Sequence, residues 1–296
     1  MKKKNFLFIF FFFLFLILYL IAITLFFFSK KNNLLLNEKK IGVSLYPIYF
    51  LAKEIGGEKK KFELIIPVGS DPHHFDLTPE IVNRIQKLDY ILYTDLSIDF
   101  WVSRIKNINP EIKLVNVTQG VNFIGKDKEK DPHFWFSLKE NLKIAENIYK
   151  FLEEIDSQNR EHYKERYLKL KEKIEELDKF TFNELKNIKN RKFITQHNFL
   201  AYFARDYNFE IIGYLEKEEG ELTPNEIKNL IFSIKKYSIK SIFGEKFASN
   251  KKAENFAQEY NLKVYYLDSL ETGKEDFFSA YRENVKIIKE ALENQN

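Results

Sequence analysis

The chain has no cysteine among its 296 residues. That absence excludes disulfides, thiolate metal ligands and a cysteine nucleophile. It also removes the side chain to which a lipid could be attached. Histidine is scarce, with five in the whole chain, and net charge is small at +4 with both signs interspersed. No basic stripe or block stands out, so nucleic acid is not an expected partner. The stretch between residues 126 and 130 is charged but contains no histidine.

What is present begins with a basic start, Met1-Lys2-Lys3-Lys4, and a nearly unbroken apolar run over residues 6–28. As a helix, such a run spans about 35 Å, enough to cross a bilayer core of about 30 Å. No small-residue cleavage pattern stands near Phe26-Phe27-Phe28-Ser29-Lys30. The expectation is an uncleaved signal anchor with the body outside the cytoplasm, at the cell surface or in a periplasm. A cleaved signal peptide is the alternative. Residues 1–40 are read as anchor or signal and tether, leaving roughly 255 residues, enough for a sizeable core or two lobes.

From residue 41 the pattern alternates short apolar runs with amphipathic ones. Strands are expected at Ile41–Leu45, Phe62–Pro67, Tyr90–Tyr93 and Lys113–Val117, with helices between them and a helix ending near Ile155. A long amphipathic helix follows to about Leu185. Its apolar positions Tyr163, Tyr167, Leu170, Ile174 and Leu177 recur by four and three. Periodicity alone leaves open whether it is an ordinary surface helix or a rod between lobes. The strand–helix pattern then restarts at Lys192–Thr195 and repeats through Glu210–Tyr214, Ser241–Phe243 and Val264–Leu267. Thr78-Pro79-Glu80 and Thr223-Pro224-Asn225-Glu226 each open a helix in the same way. The expected class is α/β, two lobes with parallel-rich sheets flanked by helices. The expected boundaries are 41–155, a linking helix over 156–187, and 188–296.

The triplet Asp-Pro-His occurs twice, at Asp71-Pro72-His73 and Asp131-Pro132-His133. Proline fixes its own φ and keeps the preceding residue extended, so each triplet is a stiff loop that aims an imidazole. His73 follows one strand, His197 follows another, Asp268 ends a third, and His133 precedes a helix. Ligands of such folds bind beyond the carboxyl ends of strands, so these four can converge between the lobes. Three imidazoles and a carboxylate form a tetrahedral set suited to Zn2+. Asp71, Asp131 and Glu245 are candidates to orient ring N–H groups. His74 is expected to be exposed or to support its neighbour, and His162 to be solvated on the long helix.

The blocks Ser44-Leu45-Tyr46-Pro47, Val68 to Pro79, Asp131 to Phe136, Thr195 to Ala204, Ile242 to Glu245 and Tyr266 to Leu270 resemble the zinc and manganese solute-binding proteins of ABC transporters, the cluster A-I metal receptors. The resemblance covers about Lys40 to the C-terminus. It implies two α/β lobes joined by one long rigid helix, with metal in the interlobe cleft and ligands at His73, His133, His197 and Asp268. It implies a non-enzymatic receptor that passes zinc to a permease. Manganese or iron as cargo is the alternative within the family, since manganese-preferring members often carry Glu at the third position. A zinc-dependent hydrolase is the alternative outside it, although no H-E-x-x-H occurs. Cell adhesion is a further role of exported receptors, without specific support here. Two departures stand out: no His-rich loop precedes the second ligand, and the lipid-bearing cysteine of many relatives is missing.

Overall fold

The computed structural model describes residues 15–24, 39–126, 130–217 and 221–295. Residues 1–40 and Ile41–Asn296 are separate compact units. Of the expected membrane segment, residues 6–14 and 25–28 lie outside the described residues, and 15–24 are helical. Among the described residues no helix is long and apolar enough to cross a membrane.

The larger unit is built from two sheets of the same design. In the first lobe β1 (Ile41–Val43), β2 (Phe62–Leu64), β3 (Tyr90–Tyr93) and β4 (Lys113–Asn116) lie in the order β2-β1-β3-β4. In the second, β5 (Lys192–Thr195), β6 (Glu210–Tyr214), β7 (Ser241–Glu245) and β8 (Lys263–Leu267) lie in the order β6-β5-β7-β8. Every pairing is parallel, with Ile41 opposite both Phe62 and Tyr90, and Thr195 opposite both Tyr214 and Phe243. Parallel neighbours need crossovers, and these are supplied by α1 (Tyr46–Gly56), α2 (Pro79–Ile85) and α3 (Ile105–Ile108) in the first lobe. α4 (Leu138–Ile155) and the long α5 (Arg160–Leu185) follow. The second lobe uses α6 (Ala201–Tyr207), α7 (Pro224–Lys236), α8 (Lys251–Tyr260) and α9 (Phe277–Glu293).

The helix starts follow from local chemistry. Thr78 accepts from the N–H of Ile81, and Thr223 forms a reciprocal capping box with Glu226, each with proline in the first turn. Asp276 caps α9 through the N–H of Ser279. Before α5 the chain makes a single 3-10 turn, Ser157–Asn159. Asp156 there accepts from the Asn159 amide and the Tyr163 hydroxyl, a local bond that competes with helix propagation.

At 26 residues, α5 is about 39 Å long. It packs against α1 and α4 of the first lobe and α9 of the second. It is therefore a shared wall of both lobes, which decides between the two sequence readings. His162 is not solvated as expected: it is half-buried at this wall, with Nε2 3.3 Å from the Gly56 carbonyl.

One apolar core runs through both lobes, from Ile41 and Val43 in β1 to Ile288 and Leu292 in α9. Phe50 of α1 stacks on Phe277 of α9 at 5.2 Å, and Phe136 meets Phe199 at 5.6 Å. Polar bonds stitch the same seam: Trp135 Nε1 donates to the Ser269 carbonyl (2.9 Å) and the Tyr281 hydroxyl to the Phe136 carbonyl (3.0 Å). A smaller core around Ile194, Leu230, Ile234 and Ile242 belongs to the second lobe alone. A shared core predicts coupled unfolding. Leu177→Ala, at a fully buried position of α5, is expected to cost about 2–5 kcal/mol. Denaturation followed by circular dichroism and by tryptophan fluorescence should then shift by the same amount. Separate transitions for the two probes would contradict a common core.

Candidate metal centre

The two Asp-Pro-His triplets fold as the same device. Asp71 Oδ1 accepts from the backbone N–H of His73 at 2.8 Å, and Asp131 Oδ1 accepts from that of His133 at 2.9 Å. A carboxylate that bonds a backbone N–H two residues on closes a tight turn, and the intervening proline pre-sets its φ. Each turn leads into a short 3-10 segment, Pro72–His74 or Phe134–Phe136. The two differ in the second bond made by the acid. Asp131 also reaches Nδ1 of His133 at 2.9 Å, whereas Asp71 reaches Nδ1 of the exposed His74 at 2.7 Å.

His197 comes from beyond the end of β5, and Glu245 ends the neighbouring β7. Their contact, Nδ1 to Oε1, is 2.9 Å. With Nδ1–H of His133 and of His197 donated to carboxylates, the Nε2 lone pairs of both rings are left to face each other, 3.4 Å apart. Two nitrogens bound to one tetrahedral zinc at 2.0–2.1 Å stand about 3.3 Å from each other. The three imidazole rings cluster, with centroid separations of 5.0 Å (His73 to His133), 5.1 Å (His133 to His197) and 6.4 Å (His73 to His197).

The carboxylate that joins them is Glu271. Its Oε2 lies 3.9 Å from His73 Nε2, and one ligand atom each of His73, His133 and Glu271 falls within a 4.8 Å group. The Glu271 side chain is 7% exposed, and Oε2 has no hydrogen-bond partner among the described residues.

Asp268, the residue expected from the sequence, uses one carboxylate oxygen to close a turn. Its Oδ1 accepts from the Leu270 N–H at 2.7 Å, the same two-residue turn as in the Asp-Pro-His triplets. Its backbone is held at both ends by the Asn284 side chain, at 2.9 and 2.8 Å. It lines a separate depression with Lys246, Glu275 and Glu283. Asp268 thus builds the bend, with Leu270 at φ 65°, after which the chain carries Glu271 to the imidazoles. Strand-end placement alone does not separate an acid that makes a turn from one that follows it. Glu271, the next acid along the chain, was the available signal.

The electrostatics describe a site built for a cation. Burial, aided by nearby His133, drives the His73 imidazole down to about 3. Burial pushes Glu271 well above the ordinary carboxylate range, and Glu245 and Asp71 add to it. Burial also works against the Glu245 anion, but the hydrogen bond from His197 and the surrounding imidazoles outweigh it and hold that carboxyl low. The cleft beyond these residues is about 670 Å³ and is reached past His74, Glu216, Phe247 and Thr272.

Residues 41–291 match the family model described as zinc-uptake complex component A, periplasmic. The chain belongs to this family. It is 28% identical to the zinc-binding protein AdcA of Streptococcus pyogenes serotype M3, over 88% of this chain and 57% of AdcA, so it spans little more than half of that relative. It is also 28% identical to the manganese ABC transporter substrate-binding lipoprotein PsaA of Streptococcus mitis, covering 82% of this chain and 85% of PsaA. A crystal structure of ZnuA superposes with a TM-score of 0.78 at 29% identity, covering 86% of this chain and 98% of ZnuA. The two-lobed α/β fold expected from the sequence is the fold observed.

The two shifted groups act on stability with opposite sign. His73 binds no proton in the folded state between about 3 and the unfolded value of 6.5, so its contribution is complete above 6.5 and is lost as pH falls toward 3. Glu271 keeps a proton in the folded state above its unfolded value of 4.5, so its contribution is lost as pH rises from 4.5 through the folded value. In metal-free protein, Glu271→Gln is expected to remove the second loss. Thermal melts at pH 5 and pH 8 should show the variant gaining on the parent at the higher pH. Parallel pH profiles would contradict the buried-carboxyl assignment.

Proposed function

We propose that this protein is the extracytoplasmic receptor of an ABC importer. It captures a divalent ion, with zinc favoured, and delivers it to a membrane permease. The observation that carries the reading is the convergence of His73, His133 and the buried Glu271, whose ligand atoms lie within 4.8 Å of one another, with His197 Nε2 3.4 Å from His133 Nε2. His73, His133, His197 and Glu271 are the proposed ligands, with Glu271 in the place that sequence reasoning assigned to Asp268. Three nitrogens and one oxygen favour zinc over manganese, which prefers oxygen-rich sites. Zinc-binding AdcA and manganese-binding PsaA are relatives of equal identity. The lean therefore rests on this donor set and not on kinship.

Four protein donors fill a tetrahedron and leave no position for an activated water, as a hydrolytic zinc site requires. Capture and handover fit this arrangement better than catalysis. Proton competition also takes a specific form. The His73 imidazole remains neutral down to about 3, so protons do not compete for it near neutral pH. Binding a dication instead favours the ionised form of Glu271, against the burial that raises its carboxyl.

Zinc affinity measured by chelator competition is the test. His73→Ala, His133→Ala and Glu271→Gln are each expected to weaken zinc binding by more than about 100-fold, a larger loss than follows removal of a supporting partner. Asp268→Asn should weaken it less, because the turn it closes can be kept by an amide oxygen. Equal losses for Asp268→Asn and Glu271→Gln would return Asp268 to the ligand set. Unchanged zinc affinity in His133→Ala would reject the receptor reading. Competition between zinc and manganese should favour zinc and reverse toward manganese when His197 is replaced by Glu.

A further inference from the structure

The carboxylate of Asp131 is shared between the two lobes. Oδ1 accepts from the N–H of His133 (2.9 Å) and meets its Nδ1 (2.9 Å), while Oδ2 accepts from the side-chain amide of Asn198 (3.0 Å). Asn198 is the residue after His197. The backbone of Asp131 crosses the same seam: its carbonyl accepts from the Tyr202 hydroxyl at 2.7 Å, and that hydroxyl accepts from the Ile124 N–H at 3.0 Å. The Asp131 side chain is 9% exposed, so these bonds are sheltered from solvent screening.

We propose that Asp131 and Asn198 form a positioning bridge that fixes the spacing between the His133 and His197 imidazoles, and through that spacing sets metal affinity and coordination geometry. The inference rests on the metal-receptor reading and deepens it. The physical argument runs through geometry. One oxygen of Asp131 holds the ring of His133 with Nε2 aimed at the site. The other holds the loop that carries His197. The two imidazoles come from different lobes, and their Nε2 atoms stand 3.4 Å apart although neither lone pair gains from facing the other. Something must keep two such acceptors at that distance before an ion arrives, and a single planar carboxylate gripping both loops does so. Glu245 supports the His197 ring from its own lobe, so it fixes ring orientation but not the distance between lobes. In the first triplet the second oxygen of Asp71 meets Nδ1 of the exposed His74.

The Asp-Pro-His motif thus has two outcomes in one chain. In both copies the acid closes the turn, and only in the second does it also connect the turn to the opposite lobe.

Asn198→Ala tests the bridge without touching a proposed ligand or the Asp131 to His133 bond. Loss of an outer partner of a ligand costs 10–100-fold in metal affinity in general. Asn198→Ala is expected to weaken zinc binding by about tenfold and to shift the visible absorption bands of the Co(II)-substituted protein. The metal-free protein should stay folded, its melting temperature lowered by no more than the loss of one hydrogen bond explains. Asn198→Gln, which returns an amide donor, should recover part of the affinity. Asp131→Asn should cost more than Asn198→Ala, and the double variant should be no weaker than Asp131→Asn alone. Wild-type affinity and an unaltered cobalt spectrum in Asn198→Ala, with zinc binding lost in His133→Ala, would overturn the bridge and leave the receptor reading intact. Zinc binding retained in His133→Ala would reject the underlying reading instead.

Discussion

Imidazole lone pairs and a carboxylate turned toward one another in a sheltered cleft repel unless a cation or proton lies between them. Most of the local architecture can be understood as the means of holding that arrangement. The pKa shifts record the conflict from both sides: His73 resists taking a proton and Glu271 resists losing one. A divalent ion relieves both, because it favours the neutral imidazole and the ionised carboxylate together. The same convergence that costs stability in the metal-free protein supplies affinity in the loaded one.

Holding donors in an unfavourable arrangement needs stiff supports. Three aspartates, Asp71, Asp131 and Asp268, each accept from a backbone N–H two residues on and so bend the chain just before a donor, or before the residue preceding one. Carboxylates on Nδ1 of His133 and His197 then orient two of the rings. Beneath the turns, the core shared by the lobes and the long α5 wall hold the two sheets as parts of one body. Donors from the ends of strands in different sheets can then be placed without the flexibility that a two-domain hinge would bring.

Strand–helix alternation was readable because buried parallel strands are short apolar runs and their crossovers are amphipathic. Tyr90–Tyr93, Lys192–Thr195 and Glu210–Tyr214 match the observed strands residue for residue. The three imidazoles were readable because histidine is rare in this chain and proline stiffens two of the loops. Glu271, the carboxylate proposed to complete the set, was not, because carboxylates are abundant. The local pattern makes Asp268 the more prominent acid, and only the bend at Leu270 shows which of the two reaches the imidazoles. The role of α5 was not readable from periodicity either, since an apolar stripe does not state how many lobes it covers. The Asp131 to Asn198 contact joins residues 67 apart and leaves no local trace.

A shared core also constrains how cargo leaves. If the lobes do not swing apart freely, release must come from loops, and the loop that carries Glu271 is tied to the first lobe by identifiable bonds. The Ser269 carbonyl accepts from Trp135 Nε1 (2.9 Å), the Thr272 carbonyl from the Gly69 N–H (2.6 Å) and the Glu275 carbonyl from the Tyr46 hydroxyl (3.1 Å). Gly273 lies in this loop at φ 69° with the Tyr46 ring against it, close enough that a Cβ would stand 2.5 Å from the ring. All three bonds are accepted by carbonyls of the loop and donated by the first lobe. Separating the two would break them together and withdraw Glu271, the proposed carboxylate ligand, while the proposed bridge between His133 and His197 need not open. Removing Glu271 leaves three neutral nitrogens, a weaker site for a dication than the four-donor set. In the proposed cycle, a permease that engaged both lobes would therefore need to displace only this loop to lower affinity at the moment of handover.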